Sequence, residues 1–141
     1  MTLRLNSEVT RVEDGLVEIH KSNTIPANTI VWTSGVRPNS IPTTPTAADS
    51  KGFFPVDSSL RIKGVKDAFA VGDCALFFNK GEGTPAPRLA QTATIQASTT
   101  AKNISHLINK EPLEECQVKL SGLLVSIGQK YAVADIHGLQ F

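Results

Sequence analysis

The run DAFAVGDCA at residues 67–75 constrains the fold of this chain more than any other stretch. Its small and apolar residues suit a central strand that is covered on both faces, and Gly72 lets the backbone turn or pass close to another group. The run therefore predicts a buried strand that ends at Asp73. Ligands of doubly wound α/β sheets bind at the carboxyl ends of strands, where a carboxylate can accept hydrogen bonds from polyol hydroxyls. An ordinary Gly-Asp turn explains the run equally well, so the neighbouring stretches must decide.

The overall composition is that of a globular protein, and the length favours a single domain. The chain has 141 residues, of which 40% are hydrophobic and 19% charged, with a formal net charge of +1. A near-neutral charge with one Trp and one Tyr argues against a nucleic-acid partner, which would favour a basic patch. No apolar run approaches the roughly 20 residues that span a bilayer, and the N-terminus has no signal-peptide pattern, so a cytoplasmic location is expected.

Neither a metal site nor a redox dithiol is predicted from the cysteines and histidines. Cys74 and Cys116 are far apart, and the three histidines do not cluster with them at the spacing of metal ligands. Both cysteines are interpreted as packing residues in preference to nucleophiles.

The first third of the chain predicts strands followed by a connector. Residues 3–20 alternate apolar and polar side chains on either side of Glu-Asp-Gly at 13–15, which is typical of a hairpin. Residues 29–35 read as a compact apolar strand, buried on both faces and closed by Gly35. Residues 38–52 are rich in Pro, Ser and Thr and predict a connector, where a domain boundary would fall. Short strands are expected at 54–57 and 60–62.

The only long helical pattern covers residues 87–109. Alanine and isoleucine recur there at intervals of three and four, which puts them on one face and predicts that this face packs against a sheet; these residues are Ala93, Ala97, Ala101, Ile104 and Ile108. After it, residues 118–120, 123–128 and 131–136 predict two or three antiparallel strands.

The beginning of this helix lacks the usual cap. Pro87 suits the first helical position, but the residue before it is Ala86 and not Ser, Thr, Asp or Asn. The free N–H groups of residues 88–91 are then available to a ligand. Capping by water or by Thr84 is the alternative.

Three motifs together resemble a known family. Residues 30–39 (IVWTSGVRPN), 68–73 (AFAVGD) and 89–93 (LAQTA) are similar, in order and spacing, to the later motifs of the FAD-dependent pyridine nucleotide-disulfide oxidoreductase superfamily. Residues 72–75, 90–93 and 126–134 are most similar to type II NADH dehydrogenases, the single-subunit NADH:quinone oxidoreductases. The resemblance implies an α/β fold class, a partial FAD/NAD(P)-binding doubly wound (Rossmann-like) fold with β-meanders.

The resemblance also implies site residues. Asp73 would hold the ribityl chain of FAD, and the helix start would lie against the pyrimidine end of the flavin. The residues expected to bind this cofactor are Gly35, Gly72, Asp73, Ala90, Gln91 and Thr92. Gln91 and Ile95 are expected at a quinone site, while no residue is assigned to catalysis or to a metal. The family usually has a second Gln where this chain has Ile95, and Gln96 lies about 140° round the helix from Gln91. A site lined by both glutamines is therefore not expected.

Neither Gly-x-Gly-x-x-Gly turn of such an enzyme occurs in the chain, so a C-terminal fragment is expected. It would comprise the tail of the NAD(H)-binding domain (1–37), the second part of the FAD-binding domain (38–111) and the start of a C-terminal β region (112–141). Alone it would be inactive, would not hold FAD tightly and would self-associate through unpaired strand edges.

The intact protein would be a peripheral membrane flavoprotein of the respiratory chain, on the cytoplasmic face, that oxidises NADH and reduces a quinone. The alternatives are another NAD(P)H-dependent flavoprotein reductase, acting on ferredoxin or a disulfide, and a non-enzymatic FAD-binding module.

Overall fold

The computed structural model describes residues 2–20, 23–39, 42, 47–136 and 138–140. They form two compact units, residues 1–35 and residues 36–141, which are described separately below. Much of the predicted connector, residues 40, 41 and 43–46, lies outside the described residues.

The first unit is an antiparallel meander of three strands. Strand β1 (Val9–Glu13) pairs with β2 (Leu16–Ile19), which pairs in turn with β3 (Asn23–Pro26). Asp14 and Gly15 form the two-residue turn between β1 and β2, and Gly15 has the positive φ (+75°) that such a hairpin turn requires. The predicted hairpin is confirmed, although β1 begins later than the alternating pattern.

The strand predicted at residues 29–35 is wrong. This stretch forms no strand, and its large side chains are exposed, Val31 by 80% and Trp32 by 60%. A strand exists only when a neighbour satisfies its backbone groups, and an apolar β-branched sequence cannot supply that neighbour. Among the described residues, none pairs with this stretch.

The hydrophobic core of the second unit lies under short, irregular β structure. Strand β4 (Phe54–Pro55) pairs in parallel with β5 (Ala75–Leu76), and single bridges join Val56 to Ile62 and Arg61 to Phe69. The short strands predicted at 54–57 and 60–62 are confirmed in this reduced form. The buried apolar residues packed here are Phe54, Val56, Leu60, Ile62, Ala70, Ala75, Phe77, Cys116 and Val118.

Residues 67–75 do not form the predicted strand. Asp67 and Gly72 have positive φ angles (+55° and +69°), which interrupt an extended run at both ends. Residues Gly72–Cys74 form a single 3-10 turn, and β5 begins after it at Ala75. Asp73 therefore lies on a turn that precedes a strand, whereas the sequence predicts that it follows one.

Helix α1 (Ala90–Asn109) confirms the predicted helix, but the predicted buried face is wrong. The buried positions are polar, Thr92, Gln96, Thr100 and Asn103. The predicted apolar face is largely exposed: Ile104 and Ile108 are 46% and 76% accessible. The physical reason is that α1 packs partly against backbone, whose N–H and C=O groups require hydrogen-bonding side chains.

The C-terminal part of the unit is a second antiparallel meander. Strand β6 (Leu123–Ile127) pairs with β7 (Tyr131–Ile136), as predicted, whereas residues 118–120 form no strand. Strand β7 also pairs with a short strand β8 (Leu139–Gln140) that the sequence did not indicate. Apolar side chains lie exposed on this sheet. No helix among the described residues is long and apolar enough to cross a membrane.

Candidate functional site

The Asp73 carboxylate lies on a turn in which both backbone groups of Gly72, the carbonyl and the N–H, are hydrogen-bonded. The Gly72 carbonyl accepts a hydrogen bond from the Ala75 N–H, which closes the turn. The Gly72 N–H donates to Oε1 of Gln96 at 2.7 Å. Asp73 itself is exposed and makes no hydrogen bond or ion pair to another described residue. An ionised carboxylate in this position can accept hydrogen bonds from a ligand without first losing a protein partner.

The N-terminus of α1 packs against this turn. A Cβ added at Gly72 would make an ordinary van der Waals contact of 3.4 Å with the Cβ of Ala93, so it is the positive φ of Gly72 (+69°) that favours glycine here. The helix begins at Ala90, so the prediction that Pro87 is its first residue is wrong, and the Leu89 N–H, predicted to be free, donates to the Pro87 carbonyl. The N-cap residue is Leu89, whose side chain makes no capping hydrogen bond, and the first turn of the helix holds no acidic residue. The N–H groups of the first turn carry the positive end of the helix dipole, which favours a negative or electron-rich ligand group.

Two polar side-chain atoms near the start of α1 are buried without a hydrogen-bond partner among the described residues. One is Oγ1 of Thr92, in the first helical turn, on a side chain that is 3% exposed. The other is Nε of Arg88, whose guanidinium lies 3.9 Å from the centre of the Phe53 ring. Buried polar groups are normally paired, so these two atoms are unsatisfied within the described fold.

A pocket of about 360 Å³ opens beside the first two turns of α1. It is lined by Ala90, Gln91, Thr94, Ile95 and Ser121. The two residues predicted at a quinone site, Gln91 and Ile95, are four positions apart on the helix and line this same pocket. Its volume falls in the range of small-molecule sites, roughly 300–1,000 Å³.

The amide of Gln91 is already paired with the backbone across the pocket. Its Nε2 donates to the carbonyl of Gly122 at 3.0 Å, and its Oε1 accepts from the N–H of Ser121 at 3.1 Å. Gln91 therefore fastens the loop before β6 to helix α1 and fixes one wall of the pocket. The hydroxyl of Thr94 donates to the Ala90 carbonyl at 2.9 Å.

Of the residues predicted to bind the flavin, five lie in the second unit, at the turn or in the first turn of α1. These are Gly72, Asp73, Ala90, Gln91 and Thr92. Gly35 belongs to the first unit, where it has a φ of +106° and no described atom within 4 Å of an added Cβ.

The sequence reasoning missed Gln96 and Ser121. The signal for Gln96 was present, because it recurs with Thr92, Thr100 and Asn103 at helical spacing as a polar face. Ser121 reaches the pocket only through the fold, since thirty residues separate it from Gln91.

Both cysteines are free thiols and lie in different surroundings. Cys116 is buried in the core, and burial raises the pKa of its thiol, an effect that a hydrogen bond with Thr99 partly opposes. Cys74, beside Asp73, lies with its Sγ 3.3 Å from the Val71 carbonyl. Within the described ranges, no group of three or more His, Cys, Asp or Glu residues could hold a metal ion.

Three curated relatives, each named type II NADH:quinone oxidoreductase, resemble the chain over most of its length. The protein of Staphylococcus saprophyticus subsp. saprophyticus is 34% identical over 112 residues, which cover 79% of this chain and 28% of the relative. That of Staphylococcus epidermidis is 33% identical over 124 residues, covering 87% and 31%. That of Staphylococcus aureus is 33% identical over 112 residues, covering 79% and 28%. The chain thus spans less than a third of the length of these relatives.

The family match covers both the first unit and the turn and helix start of the second. It extends over residues 1–97, more than two thirds of the chain, and is to the pyridine nucleotide-disulphide oxidoreductases. The chain belongs to the pyridine nucleotide-disulphide oxidoreductase family.

Proposed function

We propose that this chain supplies the ribityl and pyrimidine side of an FAD site, together with a quinone pocket, in an NADH:quinone oxidoreductase. The observation that carries the proposal is the packing of the Gly72–Cys74 turn against the uncapped start of α1, with the pocket beginning at the same helical turn. Family membership implies a Rossmann-like FAD- and NAD-binding fold. The small antiparallel and parallel sheets and the long helix α1 are consistent with part of such a fold.

The residues at the turn fit the flavin by their chemistry. Asp73 offers an unpaired carboxylate to the hydroxyls of the ribityl chain. The free N–H groups of Ala90, Gln91 and Thr92 offer donors to the ring's pyrimidine end, where the helix dipole stabilises the negative charge that reduction brings. When bound, FAD supplies hydride acceptance from NADH and the transfer of two electrons to an acceptor.

The pocket beside α1 is proposed to hold the quinone. Ile95 and the methyl group of Thr94 offer apolar contacts to a ring, while Ser121 offers a hydroxyl. We expect Gln91 to act there mainly by holding the Ser121–Gly122 backbone, because both ends of its amide are already hydrogen-bonded.

The domain assignment is proposed on the same basis. Residues 1–37 would be the tail of the NAD(H)-binding domain, 38–111 the second part of the FAD-binding domain, and 112–141 the start of a C-terminal β region. The names of the relatives make NADH and a quinone the proposed substrates. A peripheral position on the cytoplasmic face of the membrane, where a quinone is available, is part of the proposal.

The test is a hybrid protein in which this chain replaces the matching stretch of the Staphylococcus saprophyticus relative. We expect the hybrid to bind FAD, to bleach on addition of NADH and to oxidise NADH with a soluble quinone. Asp73→Asn should weaken FAD binding about ten- to a hundredfold, because hydrogen bonds to a charged group contribute about 1.5–3 kcal/mol. A flavin-loaded hybrid that ignores quinones would overturn the quinone assignment.

Asp67→Asn is the matched control. Asp67 is an exposed carboxylate six residues away, paired only with the surface residue Lys66, and its positive φ is one that Asn tolerates. We expect FAD affinity within twofold of the unsubstituted hybrid. Equal losses in Asp67→Asn and Asp73→Asn would refute a direct role for Asp73.

A second candidate, another NAD(P)H-dependent flavoprotein reductase, is favoured by one observation. The pocket has Ile95 at the position where a second glutamine is usual in the quinone-reducing family, and the Gln91 amide is engaged with the backbone. Reduction of ferricyanide or ferredoxin by the flavin-loaded hybrid, without quinone reduction, would support it. A hybrid that binds FAD and fails to bleach with NADH would support a non-enzymatic module.

A further inference from the structure

The side chain of Gln96 is buried and reaches the turn that carries Asp73. Gln96 is 1% exposed, and its Oε1 lies 2.7 Å from the backbone nitrogen of Gly72. It lies on the polar buried face of α1, away from the pocket lined by Gln91 and Ile95. Its contact is therefore with the flavin side of the site and not with the quinone side.

This hydrogen bond completes the pairing of the Gly72 backbone. The Gly72 carbonyl accepts a hydrogen bond from the Ala75 N–H, and the Gly72 N–H donates one to Oε1 of Gln96. Gly72 has a φ of +69°, a conformation that glycine adopts freely and that its neighbours must select. A helix contact selects it here, since the Gly72 N–H donates to the Gln96 side chain.

Asp73 depends on this anchoring because its own side chain has no partner. The carboxylate makes no hydrogen bond or ion pair to a described residue, so only the backbone of the turn limits where it can lie. A ligand site needs its groups held to within about half an ångström of the productive geometry. The buried hydrogen bond from the Gly72 N–H to the Gln96 side chain meets that need. A leucine in place of Gln96 would fill the same space but would give the Gly72 N–H no acceptor.

We propose that Gln96 is a positioning residue, which holds the Gly72–Cys74 turn so that Asp73 can accept the ribityl hydroxyls of a flavin. The turn-holding part concerns this chain alone, and the flavin part rests on the proposed function. Gln96 acts through Gly72 and does not touch the ligand.

The first test uses the 141-residue chain and amide hydrogen exchange followed by NMR. Gln96→Leu should raise the exchange rate of the Gly72 amide at least about tenfold, because the N–H loses its acceptor. The Ala93 amide, bonded to the Leu89 carbonyl, serves as an internal reference and should change less than twofold. An unchanged Gly72 rate would overturn the proposal.

Two further variants separate positioning from general damage. Gln96→Glu keeps an acceptor oxygen and should restore slow exchange at Gly72. Thr100→Val is the matched control: it alters a buried polar residue one turn along the same face, whose hydroxyl has no partner, and should leave Gly72 unchanged. If Gln96→Leu does not fold, Gln96→Asn, which shortens the side chain by one methylene, is measured instead with the same expectation.

The second test is a double-mutant cycle on FAD affinity in the hybrid protein. Gln96→Leu should weaken FAD binding about tenfold, and Thr100→Val less than twofold. Combined with Asp73→Asn, Gln96→Leu should add less than twofold, because the group that it positions is already lost. Additive losses, or full affinity in Gln96→Leu, would overturn the proposal.

The two tests distinguish the two ways of failing. A hybrid that binds no flavin in any form refutes the proposed function and with it the flavin part of this inference. A hybrid that binds flavin normally in Gln96→Leu refutes the positioning role and leaves the proposed function standing.

Discussion

Asn103 ties helix α1 to two other segments, and its replacement should be among the most damaging single changes in the chain. Its side chain is fully buried. Nδ2 donates to the carbonyls of Ser59 and Glu114, each at 3.0 Å, and Oδ1 accepts from the Glu114 N–H at 2.8 Å. One side chain thus satisfies three backbone groups that no element of secondary structure pairs.

The expected cost of Asn103→Leu follows from those three groups. An unsatisfied buried polar group costs about 1–3 kcal/mol. Glu114 is exposed and Ser59 half-buried, so water can reach part of the vacated backbone and the lower value applies to each group. Three such losses, reduced by about 1 kcal/mol for the apolar side chain gained, predict a fall of about 2 kcal/mol in the free energy of unfolding. Domains of this size have only about 5–15 kcal/mol in total.

The assay is urea unfolding followed by far-UV circular dichroism. Asn109→Leu makes the same chemical change at an exposed position of the same helix and should stay within about 0.5 kcal/mol of the unsubstituted chain. If Asn103→Leu and Asn109→Leu unfold at the same urea concentration with equal slopes, the hydrogen bonds of Asn103 do not stabilise the fold and the reasoning fails.

Three more outcomes are expected. Iodoacetamide should alkylate Cys74 at least about tenfold faster than Cys116 near neutral pH, because Cys116 is buried and burial raises its pKa, which lowers its thiolate fraction. The gap should narrow as the pH rises toward that pKa, and mass spectrometry showing equal rates would contradict this. Gly122→Ala should destabilise the β6–β7 sheet more than Gly128→Ala, because an added Cβ at Gly122 would lie 2.9 Å from the Asp135 carbonyl oxygen, whereas Gly128 has open space. The exchange rates of the β6 amides measure the difference. Equal rates in the two variants would contradict the prediction. The chain should self-associate through the apolar residues exposed on this sheet, and a monomer at all concentrations in sedimentation would refute that.

Local chemistry was enough to predict several elements. The two-residue Asp14-Gly15 turn, flanked by alternating residues, specified the hairpin of β1 and β2, because few residue types adopt the positive φ that Gly15 has there. The length and period of the helical pattern specified α1 to within a few residues, although its N-cap residue is Leu89 and not the predicted Ala86. Both features depend on interactions within a few residues of each other.

The tertiary structure decided which side of α1 is buried and which contacts hold the turn that carries Asp73. The period of the sequence identifies the apolar face of a helix, but the surface against which the helix packs determines which face is buried. Here that surface includes the Gly72 N–H and the backbone of Ser59 and Glu114, so glutamine and asparagine are buried while Ile108 is exposed. Backbone groups removed from water must find hydrogen-bond partners, and those partners lie 11 to 44 residues apart along the chain. No local pattern in the sequence encodes that pairing.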